Sequence, residues 1–313
     1  MTNPDSQVLV IGEAVMDLVV QFGSTLADAQ AVPGGSPANV ALALGRLGVN
    51  VSLVTWFGDD AHGREIRERL EDSGVNIVEG SAGARFTPTA AAHLDQEGAA
   101  QYTFNLDWNP PAPICLTPDE LIVHTGSIAA VLAPGTDTVL SAMSRARKSA
   151  VTTYDPNSRP AIMGDVDEAR VTVENFLMQS DVVKVSDEDL EWLYPDRTPE
   201  ESAKDWVKEF DIKLVVMTRG GKGPIAWTPK GAQAEVDPKK VKVVDTVGAG
   251  DTFMGGLIDA LWRRDLRGPD GAEKIMNLTS EELTEVLQDA AELADIVVQR
   301  RGANPPWAHE LGR

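Results

Sequence analysis

Short apolar runs alternate with segments of helical period along this 313-residue chain, and that alternation limits its fold more than any other feature. Val8–Ile11, Val51–Phe57, Leu121–Thr125, Ala150–Tyr154, Asp181–Val185 and Lys213–Thr218 read as strands bounded by turn residues. Helices are predicted from Ser36 to Gly48 and at Ala61–Asp72, Gly135–Ala146, Val166–Gln179, Pro199–Phe210, Gly250–Arg263 and Ser280–Arg300. Such a succession builds an α/β fold, a mostly parallel central sheet with helices on both faces. One stretch departs from it. Thr89–Leu94 and Gln101–Leu106 are joined by Asp95-Gln96-Glu97-Gly98 with no helix between, which predicts a hairpin in a small sheet standing apart. No repeat, low-complexity tract or linker splits the rest, so residues 1–313 are expected to form a single domain carrying a β insertion.

Composition narrows the function. A net charge of -20 argues against nucleic acid or an anionic membrane as partner, because both require clustered Lys and Arg. Cys115 is the sole cysteine, so no internal disulfide forms, which suits a cytoplasmic location. The first residues lack a basic region followed by an apolar core, and no run of about 18 apolar residues occurs; neither a signal peptide nor a membrane span is expected. His62, His93, His124 and His309 are scattered, without the spacing of a zinc hydrolase. Gly221-Lys222-Gly223-Pro224-Ile225-Ala226 runs into Trp227-Thr228-Pro229, a hairpin, and so lacks the helix that a dinucleotide fingerprint requires. There is no P-loop string either.

The chemistry concentrates in Val243-Val244-Asp245-Thr246-Val247-Gly248-Ala249-Gly250-Asp251-Thr252-Phe253. This reads as a strand passing through small residues into an apolar helix. Small side chains let backbone approach a ligand closely, and N–H groups at a helix start present the positive end of its dipole. The result is a phosphate cradle with a carboxylate, Asp251, in the first turn. A plain helix cap behind a tight turn is the alternative reading.

That string is similar to the C-terminal signature of the ribokinase/PfkB family of carbohydrate kinases. Gly34-Gly35-Ser36-Pro37-Ala38-Asn39-Val40-Ala41-Leu42-Ala43-Leu44-Gly45-Arg46-Leu47-Gly48 resembles the N-terminal signature of the same family, and the two stand in the family's order. The resemblance implies a ribokinase-like fold and transfer of a phosphoryl group from ATP, with Mg2+, to a sugar hydroxyl. It makes Asp251 the general base, with an anion hole at Gly248, Ala249 and Gly250. By the same resemblance Asp17, Gly34, Gly35 and Asn39 bind sugar hydroxyls, and Arg159 in Asp155-Pro156-Asn157-Ser158-Arg159 stands near substrate and phosphate. The nucleotide falls to Lys184, Ser186, Asp189, Thr218, Gly220 and Gly223 together with Val247, Gly248 and Gly250. Asp245 and Val247 match one half of a monovalent-cation site, for K+, and Arg300 and Gly302 the other. Two departures stand out: Pro306 falls where some relatives have a serine, and Ser186-Asp187-Glu188-Asp189 replaces an Asn-x-x-Glu. Without the resemblance, Asp17 and Arg159 read as surface charges and Asn39 as a helix-packing amide.

Gly12-Glu13, Ser36-Pro37 and Asp155–Arg159 resemble fructokinases more than ribokinases. Leu106, after Tyr102 and Phe104, stands where ketogluconate kinases carry an arginine for the substrate carboxylate. Fructose, phosphorylated at the 6-position, is therefore the expected substrate. The alternatives are 2-keto-3-deoxygluconate, ribose or a nucleoside, and, in another class, a non-catalytic sugar or nucleotide sensor. A β lid from about residues 14–33 and 86–110, bearing Tyr102 and Phe104, is expected to close over the sugar and exclude water. The resemblance also implies a homodimer through that lid, and an adenine pocket around Ala290 to Val297.

Overall fold

Thirteen strands occur among the described residues, 5–97 and 100–313, of a computed structural model. They are β1 (Gln7–Ile11), β2 (Val15–Val20), β3 (Gln30–Gly34), β4 (Val51–Val54), β5 (Val75–Ile77), β6 (Thr89–Leu94), β7 (Ala100–Asn105), β8 (Glu120–Gly126), β9 (Val151–Asp155), β10 (Val182–Ser186), β11 (Leu214–Thr218), β12 (Ile225–Trp227) and β13 (Gln233–Glu235). Nine form the main sheet in the order β13-β12-β11-β10-β9-β8-β1-β4-β5. From β11 to β5 every pairing in it is parallel; β12 is antiparallel to β11 and β13 antiparallel to β12, so only β12 runs the other way.

The connecting helices are α1 (Ser36–Arg46), α2 (Ala61–Asp72), α3 (Gly135–Ala146), the single turn α4 (Pro160–Met163), α5 (Val166–Leu177), α6 (Asp187–Leu193), α7 (Pro199–Glu209), α8 (Ala249–Arg263), α9 (Gly271–Met276) and α10 (Ser280–Val297). The pleat sends alternate residues of β1 to opposite faces. Val8 and Val10 enter one core with α1, α8 and α10, while Leu9 and Ile11 enter a second with α3, α5 and α7. Every strand end on the parallel stretch therefore reaches one carboxyl edge, where open α/β sheets bind ligands.

A second sheet, of order β3-β2-β6-β7, stands apart as expected. Its β6–β7 hairpin is antiparallel, and the predicted turn residue Gly98 lies outside the described residues. Among the described residues no helix is long and apolar enough to cross a membrane.

Three sequence expectations are corrected. No strand precedes the Gly-Ala-Gly string: residues 236–247 are irregular, Val243 and Val244 are exposed, and the Val244 N–H donates to Val298 O at 2.8 Å. The valine pair mimics a strand, but no neighbouring strand takes up its backbone. Val51–Phe57 pairs only to Val54, because Thr55 and Phe57 turn their N–H groups to Ser81. The cap of α1 is Gly35 rather than Ser36, which leaves the serine hydroxyl free for other work.

Candidate active site

Gly248 caps α8 with φ at 73°, a left-handed conformation that glycine adopts without strain. A Cβ there would also lie 2.5 Å from Ala303 Cβ, so both backbone and packing require glycine. Ala249 and Gly250 open the helix at the positive end of its dipole, with the Ala249 N–H donating to Thr246 O at 3.1 Å. Asp251 sits in that first turn. Its two oxygens are held from the neighbouring helix: Ser36 Oγ donates to Oδ1 at 2.7 Å and Asn39 Nδ2 donates to Oδ2 at 2.8 Å.

Helix packing sets this clamp. One turn beyond Asn39 and Asp251, Ala43 meets Gly255 so closely that a Cβ on the glycine would stand 2.8 Å from Ala43 Cβ. Gly255 thus lets α1 and α8 approach where the donors meet the carboxylate. Each carboxylate oxygen keeps a second lone pair for an incoming hydroxyl.

The residues expected to bind sugar include several on or beside the second sheet. Asp17 lies on β2 opposite Ala90, which lies opposite Phe104, so Asp17 and Phe104 share one face; Tyr102 follows on the same face of β7. Tyr102 and Phe104 stack in parallel with centroids 6.0 Å apart and remain exposed. Met16, Leu18 and Ala91 point the other way, into the core. Gly34 makes room for Asp17, whose Oδ2 would lie 2.2 Å from any Cβ on it. Gly35, at φ 103°, lets the chain pass over Glu13 O, which a Cβ would approach to 2.5 Å.

Burial pushes the Asp17 carboxyl up to about 6; Arg159 opposes the shift and Asp251 adds to it. These three residues therefore share one electrostatic environment. Arg159 itself is exposed, with Nη1 donating to the carbonyls of Asn157 and Ser158 at 3.1 and 3.0 Å.

Lys184 is buried in the middle of β10, with Nζ donating to Asp155 Oδ2 at 2.8 Å. It stands 3.1 Å from where a Cβ of Gly250 would lie, beside the start of α8. Burial works against its charge, but Asp155, Asp189 and Asp251 outweigh burial and hold its pKa above the ordinary value. Asp155, sharing one ammonium with those carboxylates, is instead pushed up by burial to about 6.

Ser186 and Asp189 form a capping box on α6, and Asp189 accepts from Ser158 N at 2.8 Å and Ser186 N at 3.2 Å. They tie the ends of β9 and β10 together. Asp155 Oδ1 is buried with no hydrogen-bond partner, and such an oxygen suits Mg2+ with its shell of waters. Thr218 ends β11; beyond it Gly220, at φ 50°, has no neighbour within 4 Å of its Cβ position and offers close approach. Gly223 serves a tight turn, since a Cβ there would meet Val236 O at 2.1 Å.

Asp245 accepts from Val247 N at 3.0 Å and Gly302 N at 2.8 Å. The N–H groups of Gly302 and Val247 hold its carboxyl below the usual range. An ionised carboxylate thus joins the two segments expected to flank a monovalent cation, which fits such an ion held by backbone carbonyls. The Arg300 side chain turns away to Glu310, at 2.6 Å. Ala290 is buried against Gly256 in the α8–α10 contact rather than open to a base.

Sequence reasoning does not find that Ser36 bonds Asp251 or that Asp155 pairs with Lys184. The signal for Ser36 is indirect: once Gly35 caps the helix, the serine hydroxyl needs another partner.

The family model of the pfkB family carbohydrate kinases matches residues 5–310. Fructokinase-1 of Oryza sativa subsp. japonica is 33% identical over 327 residues, covering 99% of this chain and 97% of that protein. Fructokinase-1 of Zea mays is also 33% identical, covering 95% and 93%. Among solved structures, a fructokinase double mutant from Vibrio cholerae O395 with fructose, ADP and potassium ion bound is 28% identical. Its TM-score is 0.74, with 97% of this chain and 95% of that one covered. Fructokinase with bound ATP from Xylella fastidiosa, 24% identical, shares the fold at a TM-score of 0.82 over 98% and 97% of the two chains. With two signatures in order, a carboxylate at the head of α8 and a family match over nearly its whole length, this chain belongs to the PfkB family of carbohydrate kinases.

Proposed function

We propose that this chain transfers the γ-phosphoryl group of ATP to fructose, at the 6-hydroxyl, with Asp251 as general base. One observation carries the reading: the Asp251 carboxylate stands at the head of α8, clamped by Ser36 and Asn39. Asp17 on the lid sheet feels its charge from the sugar side, and Lys184 from the nucleotide side. The sugar hydroxyl gives its proton to Asp251 as its oxygen attacks phosphorus, and the ADP oxygen leaves on the opposite side. The N–H groups of Gly248 and Gly250 steady the charge on the transferring phosphoryl oxygens, while those of Val247 and Ala249 brace the turn through Asp245 and Thr246.

Asp17, Gly34, Gly35 and Asn39 line the sugar position, Tyr102 and Phe104 cover it, and Arg159 answers negative charge nearby. Lys184, Thr218, Gly220 and Gly223 flank the nucleotide, with Ser186 bracing that edge. Magnesium carried by ATP neutralises phosphate charge when bound, and Asp155 would hold its waters. Potassium would sit between Asp245–Val247 and Arg300–Gly302.

ATP turnover, followed as ADP release, distinguishes fructose from ribose, ketodeoxygluconate, tagatose and adenosine. Fructose is expected to give the highest kcat/KM; a higher value with any of the others corrects the sugar and keeps the kinase. No turnover while ATP still binds favours a sensor. A cytoplasmic homodimer through the lid belongs to the same proposal, and a light-scattering mass of one chain at working concentration contradicts it.

A further inference from the structure

Glu13 is a buried carboxyl that the proposed chemistry does not use. It lies in the link Gly12–Ala14, between β1 of the main sheet and β2 of the lid sheet, four residues before Asp17. Whatever fixes this link fixes where Asp17 stands over Asp251. Three contacts hold it. Gly12 lies against Pro37, whose Cγ would be 2.2 Å from a Cβ on the glycine. Gly35 lies against the Glu13 carbonyl. On the remaining side, Glu13 Oε2 accepts from Ala129 N at 3.0 Å, in the 3-10 turn Ser127–Ala130 after β8.

The turn is itself unusual. Ser127 has φ at 56°, a left-handed conformation that a residue with a Cβ rarely adopts unless its surroundings impose it. Its side chain also favours the charged form of the Glu13 carboxyl, against the burial that raises its pKa. The preceding Gly126 packs on the carbonyl of Asp155, which a Cβ would approach to 2.2 Å. One carboxyl therefore joins the lid hinge to the strained turn that abuts the Lys184–Asp155 pair.

We infer that Glu13 is the positioning residue of the lid hinge, setting Asp17 in register with Asp251 through its bond to the Ser127–Ala130 turn. Removing the carboxyl leaves a buried N–H unpaired and frees the link, whereas glutamine keeps an acceptor at the same place. The sugar side should suffer and the nucleotide side should not.

The inference rests on the reading of Asp17 as a sugar ligand, so Asp17→Ala runs as a control. Glu13→Ala is expected to raise the KM for fructose at least about tenfold, the order of one lost buried hydrogen bond, with the KM for ATP within about twofold. Glu13→Gln is expected to stay close to the parent in both. Hydrogen exchange, which needs no turnover, should show lost protection in Glu13→Ala at residues 13–17 and 125–130, and retained protection in Glu13→Gln. An unmoved fructose KM in Glu13→Ala overturns the inference, as does an ATP KM that rises in step, since that marks general loosening. Unchanged exchange at both segments overturns it too. If Asp17→Ala itself leaves the fructose KM unchanged, the sugar-site reading fails, and exchange alone then decides whether Glu13 holds the hinge.

Discussion

Asp251→Asn is expected to lower kcat by about 10²–10⁴-fold, the usual contribution of a positioned general base. The amide is nearly isosteric, so the α1–α8 contact at Ala43 and Gly255 survives and the fold is undisturbed. What changes is proton affinity: an amide oxygen does not accept the sugar proton. The KM for fructose and binding of ATP should move little, because neither depends on that proton transfer. Steady-state kinetics with a thermal melt as fold control check this. A variant that keeps kcat within about tenfold removes Asp251 from the role of base.

Lys184→Met carries the second large effect, this time on stability. The ammonium and Asp155 are both buried, with side chains 5% and 1% exposed. A methionine of similar length fills the space but leaves the carboxylate without its partner among Asp189 and Asp251. Breaking such a pair typically costs about 3–5 kcal/mol, most of it the burden of the uncompensated charge. Denaturant unfolding at neutral pH should show that loss. Adding Asp155→Asn to Lys184→Met should recover most of it, because no unpaired charge then remains. If the single variant is as stable as the parent, the pair is not the buried ion pair described here.

Six strands of the main sheet, β1, β4 and β8 to β11, were legible because they are buried on both faces and so appear as mostly apolar runs between turn residues, whereas β5, β12 and β13 are three residues each and too short to carry a pattern. The second sheet was only half legible. Its β6–β7 hairpin has a turn signal, but β2 follows β1 after a three-residue link, and β3 holds Pro33. Neither β2 nor β3 has an alternation that marks it as a strand of a separate sheet. At the candidate site, the glycines and Asp251 stood out in the sequence because close approach demands specific residue types. Ser36, Glu13 and Asp155 did not, since each bonds a partner at least 29 residues away: Asp251, Ala129 and Lys184 respectively. Conversely, Val243 and Val244 looked like a strand because their composition carries no sign of the missing neighbour.

Phosphorus NMR of the product formed from ATP and fructose, with the parent and Asp251→Asn side by side, tests the central claim most directly. The parent should convert ATP to ADP with one new phosphate-ester signal, that of fructose 6-phosphate, while Asp251→Asn forms almost none over the same interval. Equal ester formation by both proteins would contradict the assignment of Asp251 as the base, and release of inorganic phosphate instead of a sugar ester would contradict phosphoryl transfer to fructose.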